Sequence, residues 1–295
     1  PDAAEFMNRV YTYVFLKQPV GRTRYAVLVS EQGVVIDDGV AARLAEDHFY
    51  VTATTGGVDR VYREMLRWNA QWRLSVDITN VTAAFSAINV AGLDSRAVLE
   101  ALGCSIDLSA DAFPYLGCRE GDVAGIPARL MRVGFVGELG YELHVPSLFA
   151  AALWDAIMEA GAQWHIKPFG VEAQRLLRLE KGHIIVGQDT DGMTHPGEVG
   201  LDWAMNRTKH DFVGRRSVDI LAASEPIRQL VGFSLDLTAP KPLEGHLVIK
   251  DGDIVGNVTS CEISPALNQI IGLAYAHPDD ASLGDRIAIR TEGGV

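Results

Sequence analysis

The spacing of apolar residues near the N-terminus predicts a short helix followed by an antiparallel sheet. Ala4, Met7 and Val10 fall on one helical stripe within residues 1–17. Three apolar runs follow, separated by tight polar turns, as is typical of an antiparallel meander. The predicted strands are RYAVLVS (24–30), VVIDDGVAARL (34–44) and HFYVTAT (48–54).

Helical and strand spacing then alternate through the middle of the chain, which predicts an α+β fold. We expect helices at VDRVYREMLRWNAQW (58–72) and SRAVLEALG (95–103), and strands at SVDITN (75–80) and AAFSAINVAG (83–92). The order partly recurs from Gly125. There the pattern predicts paired strands, a helix with Ser147 as its N-cap, and a second helix closed by Gly182.

The last third of the chain changes character. Residues 187–203 are rich in Gly, Asp, Thr and Pro and predict a long ordered loop, which we call the strap. Beyond residue 226 nearly every segment has strand character, and Asp251-Gly252 is a strong hairpin signal. Short strands with regular turns favour a small β-barrel. We therefore predict two domains, 1–225 and 226–295.

Composition excludes several function classes. The 295 residues carry a formal net charge of -12, which disfavours binding to nucleic acid or to an anionic membrane. No apolar run approaches the ~18 residues of a membrane helix, and no signal peptide is visible. Three distant cysteines without a CxxC predict reduced thiols in a cytoplasmic protein. Because the chain begins at Pro1 and stops soon after a strand, we expect both ends to be cut.

Familiar site motifs are absent from the sequence. It contains no G-x-G-x-x-G after a strand, no phosphate-binding P-loop, no H-E-x-x-H and no G-x-S-x-G. The eight histidines are not at metal-ligand spacing, so a lone one such as His144 is expected to be structural. Taken alone, these patterns predict an α+β protein with a β-barrel tail that binds a small ligand.

Four stretches, in order, resemble the glycine cleavage T-protein family and its relatives, the folate domains of sarcosine oxidase α subunits and of dimethylglycine oxidase. They are residues 21–44, 131–146 (MRVGFVGELGYELHVP), 170–203 (including LRLEKGHIIVGQDTDG) and 255–277. Details such as DDGVAARL, TATTGG and GELGYE look closest to the sarcosine oxidase α subunit. The resemblance implies a cloverleaf of subdomains around a central tetrahydrofolate site.

The same resemblance suggests two acidic residues for the site. Glu138, in the turn of FVGELGYE, would bind the paired N–H donors of a pterin ring. Asp37 of the Asp37-Asp38 pair matches the family's catalytic aspartate, which would stabilise a cationic imine and accept a proton. Adjacent strand residues point to opposite faces, so only one of the two aspartates can face the site.

Further site residues follow from the same motifs. Tyr25 matches a folate-contacting tyrosine, although a core position is equally compatible, and Thr52 and Thr54 could offer hydroxyl groups. Tyr141 of GELGYE and Arg178 of LRLEKG complete the predicted cofactor-binding set. Arg178 and Glu180 occupy the family's L-R-x-E-x-G helix, where we expect an internal ion pair that fixes the helix and the strap, a structural role more than a ligand contact. T-proteins have Arg-Asp where this chain has Gln174-Arg175, which puts the family's contacts there in doubt and favours the oxidase branch.

The function implied is tetrahydrofolate-dependent one-carbon transfer. An imine made from an N-methyl amine by another part of a sarcosine oxidase would yield 5,10-methylenetetrahydrofolate and glycine, with FAD, FMN and NAD bound on segments or subunits absent from this chain. The expected partners are a small amine or imine and the other oxidase subunits. Two alternatives remain open: a stand-alone aminomethyltransferase, and a folate-binding regulatory module without turnover.

Overall fold

A computed structural model describes residues 1–206, 208–292 and 294. The predicted meander is confirmed as an antiparallel sheet of order β1-β2-β3. Its strands are β1 (Arg22–Val29), β2 (Val35–Ala45) and β3 (His48–Val51). The third strand ends earlier than predicted because the Thr52 hydroxyl exchanges hydrogen bonds with the Val40 backbone. At Gly39 the backbone of Thr52 passes so close that a Cβ would overlap it, which explains the glycine.

Helices α1 (Ala3–Val10) and α2 (Val58–Trp72) cover one face of this sheet. Met7 and Val10 are buried and Ala4 is half-buried, in accord with the predicted stripe, but the helix ends at Val10 rather than near residue 17. The strand predicted at 75–80 does not form. Its apolar side chains pack against the α1–α2 cluster from an extended segment without a partner strand, so their alternation reflects one-sided packing.

A second antiparallel sheet has the order β4-β7-β6-β5. Its strands are β4 (Phe85–Ala91), β5 (Cys118–Val123), β6 (Ile126–Met131) and β7 (Gly140–Pro146). Helices α3 (Ser95–Ala101) and α4 (Ala150–Gly161) pack on one face. The N-cap prediction at Ser147 is wrong, because its hydroxyl donates to the Ala83 carbonyl and a 3-10 turn precedes the helix.

The next segment follows the prediction closely. Helix α5 (Val171–Lys181) ends at Gly182, which takes φ +78° as a helix-terminating glycine does. The strap contains 3-10 turns at Pro196–Val199 and at Asp202–Ala204 and no strand. Helix α6 (Arg215–Ala223) was not predicted.

The final sheet has the order β12-β9-β10-β11-β8, all antiparallel. Its strands are β8 (Gln229–Leu235), β9 (Leu247–Lys250), β10 (Asp253–Ser264), β11 (Gln269–Ala276) and β12 (Ala288–Arg290). The hairpin predicted at Asp251-Gly252 joins β9 to β10, with φ +52° and +93°. The α+β class is confirmed, and the division at residue 226 stays a prediction.

No helix within the described part of the chain is both long and apolar enough to span a bilayer.

Candidate functional site

Asp37 and Asp38 lie on opposite faces of the first sheet, as strand geometry requires. Asp37 faces the start of α2 and is 1% exposed. Its carboxylate accepts hydrogen bonds from the backbone N–H of Asp38 (2.7 Å) and from the backbone N–H (3.3 Å) and hydroxyl (3.1 Å) of Thr54. Burial raises the pKa of Asp37, and these donors partly oppose that rise. Asp37 is therefore a buried carboxylate whose hydrogen-bonding capacity is already used by Asp38 and Thr54.

Asp38 lies on the other face, which we call the inner face. There the sheet packs against the strap and against β5 and β6. The Tyr25 hydroxyl donates to Asp38 Oδ2 at 2.6 Å. Burial raises the pKa of Asp38, and the hydrogen bond from Tyr25 works against that rise. The Trp203 indole stacks on the Tyr25 ring at 5.2 Å and is 72% exposed. This face thus combines a carboxylate, a phenol and an accessible aromatic ring.

A hydrogen-bonded chain joins the inner face to the second sheet. The Tyr50 hydroxyl on β3 lies 3.1 Å from His144 Nδ1 on β7. His144 Nε2 lies 3.3 Å from a carboxylate oxygen of Glu142. The Arg129 guanidinium covers the Tyr50 ring at 4.1 Å. Sequence reasoning treated His144 as a lone structural histidine, whereas the structure places it between a phenol and a carboxylate.

A cleft of about 750 Å³ runs along the edge strand β4 and reaches Glu142. Asn89 and Glu142 are directly opposite each other in the β4–β7 register, so their side chains share a face. Asn89 Oδ1 is buried and has no hydrogen-bond partner, and the Glu142 side chain is 28% exposed. The cleft is therefore lined by an accessible carboxylate beside an amide whose buried oxygen has no hydrogen-bond partner. Aromatic lining is supplied by Phe135, Trp154, Trp164 and Phe169.

Glu138 does not belong to that lining. It lies exposed on the turn from β6 to β7. Gly137 before it takes φ +86° and packs against the Lys181 side chain, and Glu138 follows on the outside of the turn. Neither Glu138 nor Asp37 lines this cleft, and neither does Asp38; of these four carboxylates, Glu142 alone lines it.

The other predicted residues have mainly structural contacts. Thr52 bonds to the backbone of β2 and Thr54 to Asp37. Tyr141 is fully buried in the core of the second sheet, where its hydroxyl accepts from Arg96 Nε at 3.2 Å. Only Tyr25 of the predicted cofactor set lies on the inner face beside an aspartate.

Arg178 forms the expected internal ion pair between the helix and the strap. It contacts Asp189 at 2.5 Å, both residues being buried, and donates to the Ser260 hydroxyl at 2.7 Å. Glu180 instead accepts a hydrogen bond from Ser264. Asp189 lies on the strap, so the pair joins helix α5 to the strap, although sequence spacing could not identify this partner.

The residues of this candidate site that the sequence did not suggest are Asp38, Tyr50, Asn89, Glu142 and His144. A signal existed for one of them: Glu142 alternates with apolar neighbours in GYELHV, which places it on the face opposite the core. The acceptor pair and the tyrosine–histidine contact join distant segments. They could be recognised only from the register of the strands.

Two models of known protein families together match nearly all of the chain. The model of the GCVT N-terminal domain matches residues 1–209, and the model of the glycine cleavage T-protein C-terminal barrel domain matches residues 228–295. The chain is 39% identical over 306 residues to the sarcosine oxidase subunit alpha of Corynebacterium sp. (strain P-1), covering 99% of this chain and 31% of that relative. It therefore spans about a third of that relative's length.

Shorter relatives match over most of their own length. The aminomethyltransferase of Halothermothrix orenii is 31% identical over 289 residues, which cover 98% of this chain and 79% of the relative. The crystal structure of glycine cleavage system aminomethyltransferase T from Bartonella henselae superposes with a TM-score of 0.87 at 23% identity, over 99% of this chain and 78% of that one. The chain accordingly belongs to the glycine cleavage T-protein family.

Proposed function

We propose that this chain binds tetrahydrofolate and transfers a one-carbon unit to it as part of a subunit of the sarcosine oxidase alpha type. Family membership supports a folate-binding, aminomethyltransferase-like module. The relative at 39% identity, a sarcosine oxidase subunit alpha, supports the oxidase context. The observation that carries the proposal is the cleft, in which the carboxylate of Glu142 lies opposite the amide of Asn89.

The residues of the cleft fit a reduced pterin. Its pyrimidine edge presents a ring N–H and an amino group as neighbouring donors. A carboxylate such as Glu142 accepts such donors strongly, and the unpartnered Asn89 Oδ1 needs a donor because a buried acceptor without one is costly. The aromatic side chains around them suit a flat heterocycle. We therefore assign the pterin contact to Glu142 rather than to Glu138.

When bound, tetrahydrofolate supplies the two nitrogens that take up the carbon, one in the pterin ring and one in the side chain next to it. We assign the reacting-site carboxylate to Asp38 rather than to Asp37. Tyr25 occupies Asp38 Oδ2, so Oδ1 is the oxygen that can stabilise a cationic iminium and accept a proton. Trp203 and the strap cover Tyr25 from one side and limit the access of water to this pair.

The proposed donor is the imine of an N-methyl amine such as sarcosine, with release of glycine. Flavin and nicotinamide cofactors (FAD, FMN and NAD) would act elsewhere in the complex, and the other subunits would be its partners. The test is methylene transfer to tetrahydrofolate during sarcosine oxidation by the intact complex. Asp38→Asn should stop the transfer while oxidation and folate binding continue. Unchanged transfer would exclude Asp38 as the reacting-site residue.

A stand-alone aminomethyltransferase is the second candidate, supported by a relative of that name of which the chain covers 79%. It predicts transfer from an aminomethyl group on a lipoyl carrier protein and no dependence on amine oxidation. Transfer from sarcosine alone would exclude it. A third reading, a folate-binding module without turnover, would be supported if the native protein bound reduced folate but showed no transfer from either donor.

A further inference from the structure

We propose that His144 is a positioning residue that ties the recognition carboxylate Glu142 to the first sheet through Tyr50. The proposal rests on the proposed function, because it assigns Glu142 to the pterin. His144 is 5% exposed, and both of its ring nitrogens have a partner. The contact with Tyr50 joins residues 94 positions apart in the sequence. It links β3, in the sheet that carries Asp38, to β7, in the sheet that lines the cleft.

The chemistry of the three groups fixes the direction of each hydrogen bond. An ionised carboxylate can only accept, so the contact at 3.3 Å requires the proton on His144 Nε2. In the neutral ring, Nδ1 is then an acceptor, and the Tyr50 hydroxyl donates to it at 3.1 Å. Glu142 is thereby held by one oxygen, which leaves its other oxygen for a ligand.

Neighbouring side chains keep Tyr50, His144 and Glu142 in place. Arg129 is opposite His144 in the β6–β7 register, and its guanidinium lies over the Tyr50 ring. Arg129 also pairs with Glu120 at 2.7 Å, so its own charge is compensated. The Tyr50 ring is thus fixed on its face by a cation and at its hydroxyl by an imidazole. Loss of the imidazole would release Tyr50 and Glu142 together.

The first experiment measures the dissociation constant of 5-formyltetrahydrofolate for the intact native protein by calorimetry. His144→Phe keeps the ring volume but removes both hydrogen bonds. We expect it to weaken binding about tenfold, the usual effect of losing a hydrogen bond to a charged group. His144→Gln, which retains a donor and an acceptor, should restore most of the affinity. His48→Gln, at an exposed site on β3, is the matched control and should bind as the native protein does.

The second experiment asks whether Tyr50 and Glu142 communicate through His144. The effects of Tyr50→Phe and Glu142→Gln on the dissociation constant should be non-additive with His144 present and additive with His144→Phe. Native affinity in the His144→Phe variant, or the same coupling in both backgrounds, would overturn the proposal.

The third experiment needs no ligand. Nitrogen-15 NMR of histidine-labelled protein should show His144 as the tautomer protonated at Nε2, and Glu142→Gln should alter that signal. A ring protonated at Nδ1 alone would overturn the proposal even if His144→Phe failed to fold. If the native protein binds no reduced folate while the Nε2 tautomer is present, the proposed function fails and the hydrogen-bonded chain stands.

Discussion

Replacing each of the two adjacent aspartates separately distinguishes their roles most directly. Asp38→Asn preserves the shape of the side chain and the acceptor for Tyr25 but removes the negative charge. At ~4 Å from a cationic iminium and an effective dielectric constant of about 20, that charge is worth roughly 4 kcal/mol. Since each ~1.36 kcal/mol changes a rate tenfold, methylene transfer should fall by about a thousandfold. The affinity for reduced folate should change little.

Asp37→Asn should give the opposite pattern. Asp37 accepts three hydrogen bonds from Asp38 and Thr54, and an amide cannot accept all of them. We expect a loss of about 1–3 kcal/mol in the free energy of unfolding, with transfer per folded molecule nearly unchanged. Rapid-quench measurement of transfer, together with urea unfolding, tests both variants. Loss of transfer in Asp37→Asn alone would refute the assignment.

The pH dependence of stability gives an independent check on Asp38. Burial raises its pKa in the folded state. A carboxyl group with a raised pKa contributes stability when protonated, and that contribution is lost as pH rises through the folded-state pKa. Ionised Asp38 therefore destabilises the fold at neutral pH. Asp38→Asn should raise the melting temperature at pH 7, and the gain should vanish below about pH 4, near the ordinary pKa of aspartate.

Three further changes test other parts of the structure. Glu142→Gln should weaken the binding of 5-formyltetrahydrofolate, measured by calorimetry, about tenfold or more. Glu138→Gln, on the exposed turn, should leave that affinity unchanged. Equal effects of the two changes would contradict our choice of carboxylate. Gly57→Ala would place a Cβ against a carboxylate oxygen of the buried Asp37. The free energy of unfolding measured in urea should therefore fall by about 1–3 kcal/mol. An unchanged free energy of unfolding would show that the backbone moves aside without cost. Arg178→Leu should lower the free energy of unfolding by about 3–5 kcal/mol in the same assay, because it leaves Asp189 buried without its cation. An unchanged value would mean that the ion pair is dispensable for stability.

Much of the fold could be predicted from the sequence because its apolar periodicity is strong. The bounds of α2 and the end of α5 at Gly182 agree with the prediction. The segment 75–80 was misread because packing on one side produces the same alternation as a strand. Whether an alternating segment pairs with another strand depends on residues far away in the sequence, and local spacing carries no information about them.

The family resemblance identified two acidic motifs, and the choice of residue within each motif stays a prediction. In each acidic motif two carboxylates lie close together, and the sequence could not say which one faces inward. For the aspartates, the faces of β2 were correctly expected to differ, but the choice between Asp37 and Asp38 required the packing of α2 and the strap. For the glutamates, the position of Glu142 opposite the unpartnered Asn89 became visible only from the β4–β7 register.

The buried pairing of Arg178 with Asp189 has a consequence for how the molecule loses its structure. Asp189 also accepts the hydroxyl hydrogen bonds of Thr259 and Ser260, both on β10. A chain ending near residue 225 would strip these donors from the aspartate and open the pair to water. The final sheet and helix α5 should therefore melt in a single cooperative step, even though the sequence changes character between them.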